Sequence, residues 1–381
     1  MQQPAIWELF EELHAAKERT SQTRASFGGA PIFVYGAGND GKDVFELLST
    51  QGLSVVGLLD RQAKQGSEWE GVPVRRADDD SISASERAAA HVVMGIFSPY
   101  VDMPPVHKML ADLGFGRVTT YLDLHACFAR EIGDRYWLTC HTFYEALKPL
   151  IAAGYDLWSD ETSRTLYTQL LKFRFTSDYE ALPRPELSTQ YFPTDIPAWR
   201  SPLRFVDCGA YDGDTLAALI SRNLAVEAIA AFEPDPANFV KLSRYVGEHR
   251  SAMPEVACLF PCGVDSSTKQ ISFHSGLGEG SHPSNGGNSL VQCVSLDQAL
   301  PGFKPNLIKM DIEGAEFGAL WGARRIIEEE RPALAVCVYH RPGHLWQIPL
   351  LVQRLSGGGG RFYLRMHGFN SFDVVFYWVP D

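Results

Sequence analysis

Positive charge is scarce in this chain: 34 lysines and arginines face 46 aspartates and glutamates, for a formal net charge of −12. Proteins that read nucleic acid carry a basic face that neutralises phosphates, so DNA and RNA are not expected as partners. Long apolar runs are also missing. No stretch approaches the roughly 20 uninterrupted apolar residues of a membrane helix, and none has the length and flanks of a signal peptide. The first twenty residues, MQQPAIWELFEELHAAKERT, read as an amphipathic helix with charges throughout. A cytoplasmic protein without membrane insertion is expected. Paired cysteines are lacking too: the seven are scattered and form no CxxC, which predicts reduced thiols and no structural zinc. Internal repeats and low-complexity segments are absent.

What is present is an alternation of strand and helix patterns over 381 residues, enough for two domains. Pro31–Tyr35 is a short apolar run followed by Gly36-Ala37-Gly38-Asn39-Asp40-Gly41, a helical stretch from Lys42 to Gln51, and a second apolar run, Ser54–Leu59, that ends at Asp60. Strand, glycine turn, helix, strand and terminal acid make the mononucleotide-binding half of a Rossmann-type fold. Further strands are predicted at His91–Ile96 and Arg117–Leu122, closing a small Rossmann-like α/β domain, of nucleotide- or sugar-nucleotide-binding type, at about residue 128. Residues 129–200 are predicted to be a helical connector, broken in its second half by Pro183, Pro185, Pro193 and Pro197. Within it, Tyr191 and Phe192 belong either to the linker or to a flap over the ligand.

From residue 201 to 381 the alternation is strongest. Strands are expected at 204–207, 228–232, 257–261, 307–310 and 333–339, and helices at 214–222, 236–249, 315–330 and 345–355. Two aromatic-rich runs, Arg361–Met366 and Val374–Val379, are separated by a turn too short for a parallel crossover, so they must pair antiparallel. A parallel sheet finished by an antiparallel hairpin is the class I (Rossmann-like) methyltransferase sheet rather than that of a nucleotide dehydrogenase.

Acids and glycines cluster where strands should end. In Phe205-Val206-Asp207-Cys208-Gly209-Ala210-Tyr211-Asp212-Gly213-Asp214 an acid closes the first strand, and glycines shape the turn into the next helix. A loop carrying Asp207, Asp212 and Asp214 would repel a diphosphate and suit the cationic S-adenosylmethionine. Glu233, followed by Pro234 and Asp235, ends the second strand, where a carboxylate can accept both ribose hydroxyls. The turn Cys262-Gly263-Val264-Asp265 should face an adenine, Val264 by apolar contact and Asp265 or a backbone amide by hydrogen bonding. Asp311 ends the central strand, and Glu316 begins the following helix, where a carboxylate is favoured in any case. No metal is expected, although Asp311, Glu313 and Glu316 could hold a hard divalent cation with water. His340 ends the fifth strand beside Asp311. A neutral imidazole there could take a proton from a substrate hydroxyl, or the ring could be a structural histidine. The glycine-rich loop 275–287, flanked by His274 and His282, is either a lid over substrate or a hairpin tip.

Taken in order, FVDCGAYDGDT, FEPDPANF, CGVDSS, VSLDQAL, LIKMDIEGAEFGAL and AVCVYHRP resemble the FkbM family of methyltransferases over about 180 residues. The resemblance implies S-adenosylmethionine as methyl donor and, as acceptor, a hydroxyl on a small molecule or glycan: a sugar, glycan, glycolipid or polyketide. By motif position it implies a cofactor role for Asp207, Gly209 and Glu233 and an active-centre role for Asp311; the reading of the residues adds Ala210, Tyr211, Gly213, Pro234, Gly263, Val264 and Asp265 to the cofactor site and His340 to the active centre. One departure stands out: many members have an acid where this chain has Tyr339. Two other readings remain: an NAD-dependent oxidoreductase or bifunctional enzyme acting through GAGNDG and Asp60, and a non-catalytic binding or assembly protein. A homo-oligomer is left open.

Overall fold

The structure, a computed structural model, describes residues 4–278, 281–283 and 286–381. The chain divides into two compact units, one formed by residues 1–148, 166–185 and 368–372, the other by 149–165, 186–367 and 373–381. The helix Glu161–Thr176 is thus shared between them.

The first unit holds a six-stranded sheet in the order β3-β4-β2-β1-β5-β6, with β1 Ile32–Tyr35, β2 Val55–Leu59, β3 Glu68–Trp69, β4 Val72–Arg75, β5 His91–Met94 and β6 Arg117–Thr119. All neighbours pair parallel except the short β3, which runs antiparallel to β4. The pair β3–β4 was not foreseen: strands of two and four residues carry too little periodicity to read. The strand expected at Arg117–Leu122 stops at Thr119, because Thr120 caps a helix, Tyr121–Cys127, by accepting the Asp123 amide at 3.2 Å. Phe33, Leu59, Val92, Met94, Leu110 and Phe115 form the core under this sheet.

The second unit is built on a seven-stranded sheet in the order β16-β17-β15-β14-β7-β8-β9. Its strands are β7 Leu203–Cys208, β8 Val226–Phe232, β9 Val256–Phe260, β14 Leu307–Met310, β15 Ala333–Cys337, β16 Arg361–Met366 and β17 Val374–Val379. Five are parallel, and β16 and β17 close the sheet as an antiparallel hairpin, as the two aromatic runs require. β14, β15 and β17 are buried along their whole length, the pattern of strands covered on both faces. Strand order reverses between β7 and β14, and in such open sheets ligands bind beyond the carboxyl ends at that point.

Two departures from the sequence reading bear on the site. The stretch 315–330 is two helices, Glu316–Gly322 and Arg324–Glu329, broken at Ala323. A second, four-stranded sheet, β10 Gly263–Val264, β11 Lys269–His274, β12 His282–Pro283 and β13 Ser289–Val294, fills what read as loop. β11 and β13 pair antiparallel, so the glycine-rich segment is the connection of a hairpin.

Candidate active site

The strand ends dictate the site. β7 and β14 are in register, with Lys309 opposite Asp207 and Met310 opposite Cys208. Asp207 is fully buried, and its carboxylate lies 3.0 Å from the equally buried Lys309 Nζ, which also donates to the Gly209 carbonyl at 2.6 Å. Burial pushes Asp207 up to about 6 against the pull of the ammonium. Lys309 is itself raised: burial opposes its charge, but Asp207, Asp311 and Asp214 outweigh burial. Asp207 therefore holds the turn from below through Lys309, and part of the negative charge counted in the loop is cancelled internally. Lys309 was missed in the sequence, although one lysine inside an otherwise apolar central strand was the available signal.

Gly209 has φ +80°, and a Cβ there would run into the Asp311 carbonyl. Gly213, at φ +97°, would place a Cβ 2.8 Å from the Tyr245 ring. Both glycines thus serve close packing of the protein on itself, where the sequence suggested room for a ligand. Between them, Ala210 is buried and donates to the Phe232 carbonyl at 3.0 Å, while Tyr211, at φ +46°, gives its amide to Glu233 Oε2 at 2.9 Å. Glu233 Oε1 accepts the Asp235 amide at 2.8 Å. Burial lifts Glu233 to about 7 despite these amides.

Asp235 caps the helix Pro236–Glu248, accepting from Ala237 and Asn238. Its other oxygen accepts the Gly276 amide at 2.7 Å and the Ser281 hydroxyl at 2.9 Å, and Asn238 donates to the Gly278 carbonyl at 2.9 Å. The hairpin connection is thereby tied down beside Glu233. Of the expected lid 275–287, residues 279–280 and 284–285 lie outside the described residues.

Gly263 admits Cys293 and Pro234: a Cβ would meet the Cys293 sulfur at 2.9 Å and Pro234 at 3.7 Å. Val264 is buried and pairs with Val294. Asp265 does not join the group. One carboxylate oxygen pairs with Lys269 at 2.8 Å, the other accepts the Ser266 amide at 2.5 Å, and its own amide donates to Val294. Its side chain packs against Gly318, so the turn and the neighbouring helix consume the groups assigned to reading an adenine.

On the other side of the switch point, Asp311 and His340 come together, with Nε2 3.3 Å from Asp311 Oδ1 and 3.7 Å from Glu313 Oε1. His340 Nδ1 lies 2.7 Å from Glu316 Oε1. Glu316, fully buried, also accepts the amides of Ile312 and Gly314 and lies 3.3 Å from His344 Nδ1. Tyr191 donates its hydroxyl to Asp311 Oδ2 at 2.5 Å and its amide to Tyr377 at 3.0 Å. The tyrosine of the connector therefore belongs to the site. Phe192 does not: it is buried, with the Arg222 guanidinium over its ring.

Burial works against charge on His340, yet Glu316, Glu313 and Asp311 outweigh it and raise the ring to about 10. Glu316 is correspondingly held well below the usual carboxylate range, whereas burial lifts Glu313 to about 7. The neutral imidazole expected from the sequence is thus not what these surroundings favour, and a protonated ring cannot accept a substrate proton.

In the first unit, Asp60 Oδ2 accepts the Ala37 amide at 2.9 Å and Oδ1 the Gln62 amide at 2.7 Å. Asp40, in the first turn of the helix Asn39–Thr50, pairs with Arg135 and accepts the Phe97 amide. The helix start where a dinucleotide would seat its diphosphate already carries a carboxylate.

A seven-stranded sheet of this order, closed by an antiparallel hairpin, is the class I methyltransferase sheet. Residues 207–370 match the family model of the Methyltransferase FkbM domain, which makes this part of the chain a methyltransferase domain. The crystal structure of Methyltransferase FkbM from Methylobacillus flagellatus KT superposes with a TM-score of 0.80 at 21% identity, covering 98% of this chain and 100% of that one; the two share a fold. Aeropyrum pernix fibrillarin, in complex with S-adenosyl-L-methionine, reaches a TM-score of only 0.31 at 12% identity over 51% of this chain and 75% of its own, too little to carry an argument. No curated protein matches the chain. Among the described residues, no helix is long and apolar enough to cross a membrane.

Proposed function

We propose that the protein transfers a methyl group from S-adenosylmethionine to a hydroxyl of a sugar, glycan, glycolipid or polyketide. The observation that carries the reading is the convergence of Asp207, Glu233 and Asp311 at the carboxyl ends of β7, β8 and β14, around the turn 207–213. Such a site favours a cation and disfavours a pyrophosphate. Glu233 is the ribose acceptor, its remaining lone pairs being available beside the amides it holds. Ala210, Tyr211, Gly213, Pro234, Gly263 and Val264 supply backbone and apolar walls. Asp207 and Gly209 set the turn.

The acceptor oxygen attacks the methyl carbon in line. A C–O bond forms as the C–S bond breaks, the electron pair goes to sulfur to give neutral S-adenosylhomocysteine, and the hydroxyl proton passes to the Asp311 carboxylate. Rate comes mainly from alignment and proximity. His340 is the positioning residue that orients Asp311, and Tyr191 occupies the place of the acceptor hydroxyl until substrate arrives. The seven free thiols agree with a cytoplasmic location.

Calorimetry of the full chain with S-adenosylmethionine, S-adenosylhomocysteine and NAD tests the reading. One site for each adenosyl compound and no heat with NAD is expected. NAD binding without donor binding would replace it with the oxidoreductase reading, and silence from all three would favour a non-catalytic protein.

A further inference from the structure

The group around His340 is more than the proposed transfer requires. Asp311, Glu313 and His340 each offer a ligand atom within 4.8 Å of the others. Nε2 lies 3.3 Å from one carboxylate oxygen and 3.7 Å from the other. In an octahedral site with bonds of about 2.1 Å, neighbouring donors stand about 3.0 Å apart and opposed donors about 4.2 Å. Both distances from Nε2 fall between these two values.

A second feature comes from a side chain outside those three. Glu316 lies outside the set, is anchored by the Ile312 and Gly314 amides, and sits 2.7 Å from His340 Nδ1. An acceptor at Nδ1 keeps a proton there, so a cation that displaces the Nε2 proton meets a lone pair turned toward Asp311 and Glu313. Metal-binding histidines are oriented this way, by a carboxylate on the ring nitrogen that does not ligate. Asp311 and Glu313 both face His340 Nε2, and Tyr191 holds Asp311 Oδ2.

We propose that Asp311 Oδ1, Glu313 Oε1 and His340 Nε2 bind one divalent cation of the Mg2+ or Mn2+ kind. Two carboxylates with one imidazole suit these ions, and the absence of thiolate disfavours softer metals. The remaining positions go to water and, on the reading of the protein as a hydroxyl methyltransferase, to the acceptor hydroxyl. Bound there, the hydroxyl is made more acidic, and its proton leaves to Asp311 Oδ2, the oxygen that Tyr191 otherwise occupies. An acceptor with two adjacent hydroxyls would bind best, as a chelate.

The test separates metal from donor. Metal-stripped full chain is titrated with Mn2+ alone, followed by loss of the free-ion electron paramagnetic resonance signal and by competition with Mg2+. One Mn2+ per chain is expected, weakened at least about tenfold in Glu313→Gln and in Asp311→Asn, and about 10–100-fold in Glu316→Gln, which touches the ion only through the ring. S-adenosylmethionine binding by Glu313→Gln, measured separately, is expected to stay at the wild-type level, which also shows that the variant is folded. No stoichiometric Mn2+ in the wild type, or wild-type Mn2+ affinity in both Glu313→Gln and Asp311→Asn, overturns the site. Mn2+ binding in a chain that binds no donor would instead overturn the methyltransferase cofactor reading and leave the cation in place.

Discussion

At the scale of single residues, the site turns on groups whose chemistry is set by what surrounds them. Glu233 is lifted to about 7 by burial, so it is only partly ionised at neutral pH. The ionised form is the one that accepts ribose hydroxyls and attracts a cationic donor. Donor affinity should therefore rise from about pH 6 to about pH 8 as the carboxylate loses its proton. Calorimetry across that range should give a slope for the wild type and a flat line for Glu233→Gln. Glu233→Ala should weaken donor binding by about 1–3 kcal/mol, and an unchanged affinity would remove this residue from the site. Gly209 makes a different demand. Its φ of +80° and the Asp311 carbonyl against it leave no room for a Cβ. Gly209→Ala should lower stability by about 1–3 kcal/mol and impair donor binding, as thermal unfolding and calorimetry would report together.

At the scale of elements, β7 and β14 act as a pair. Their register places Lys309 opposite Asp207, with both charges buried. Removing one partner of a buried ion pair leaves the other uncompensated, so Lys309→Met should cost about 3–5 kcal/mol in denaturant unfolding. Adding Asp207→Asn should return a large part of that loss; a double variant as unstable as the single one would show that the strands do not depend on the pair. The helix Pro236–Glu248 and the hairpin β11–β13 are likewise joined through Asp235, which caps the one and ties down the other. Asp235→Ala should cost about 1 kcal/mol for the cap and speed proteolysis in the hairpin connection. Unchanged cleavage would mean that the connection is held elsewhere.

At the scale of the whole molecule, the two units have separate sheets, and the first carries a buried histidine that makes it sensitive to acid. His91, buried beneath Phe27 and 2.7 Å from the Thr119 hydroxyl, is lowered to about 4, by burial first and then by Arg117. An unfolded histidine titrates near about 6.5. Between these values the unfolded chain binds the extra proton, so stability present above the higher value drains away as pH falls toward the lower one. Thermal midpoints should drop between about pH 7 and about pH 5, and drop less in His91→Gln, which keeps a polar partner for Thr119. Equal drops in both would place the acid-labile group elsewhere.

Much of this was legible without coordinates. Parallel strands buried on both faces read as apolar runs, acids and glycines mark their carboxyl ends, and a turn too short for a crossover forces the final hairpin. Those signals are local, so the sheet type and the neighbourhood of Asp207, Glu233, Asp311 and His340 followed from the chain alone. Contacts between segments far apart in sequence did not. Lys309 beneath Asp207, Tyr191 on Asp311, Glu316 behind His340 and the diversion of Asp265 to Lys269 depend on strand register and helix placement. The protonation of His340 followed the same rule. A motif names the imidazole, but the three carboxylates packed around it set its charge, and only folding brings them within reach.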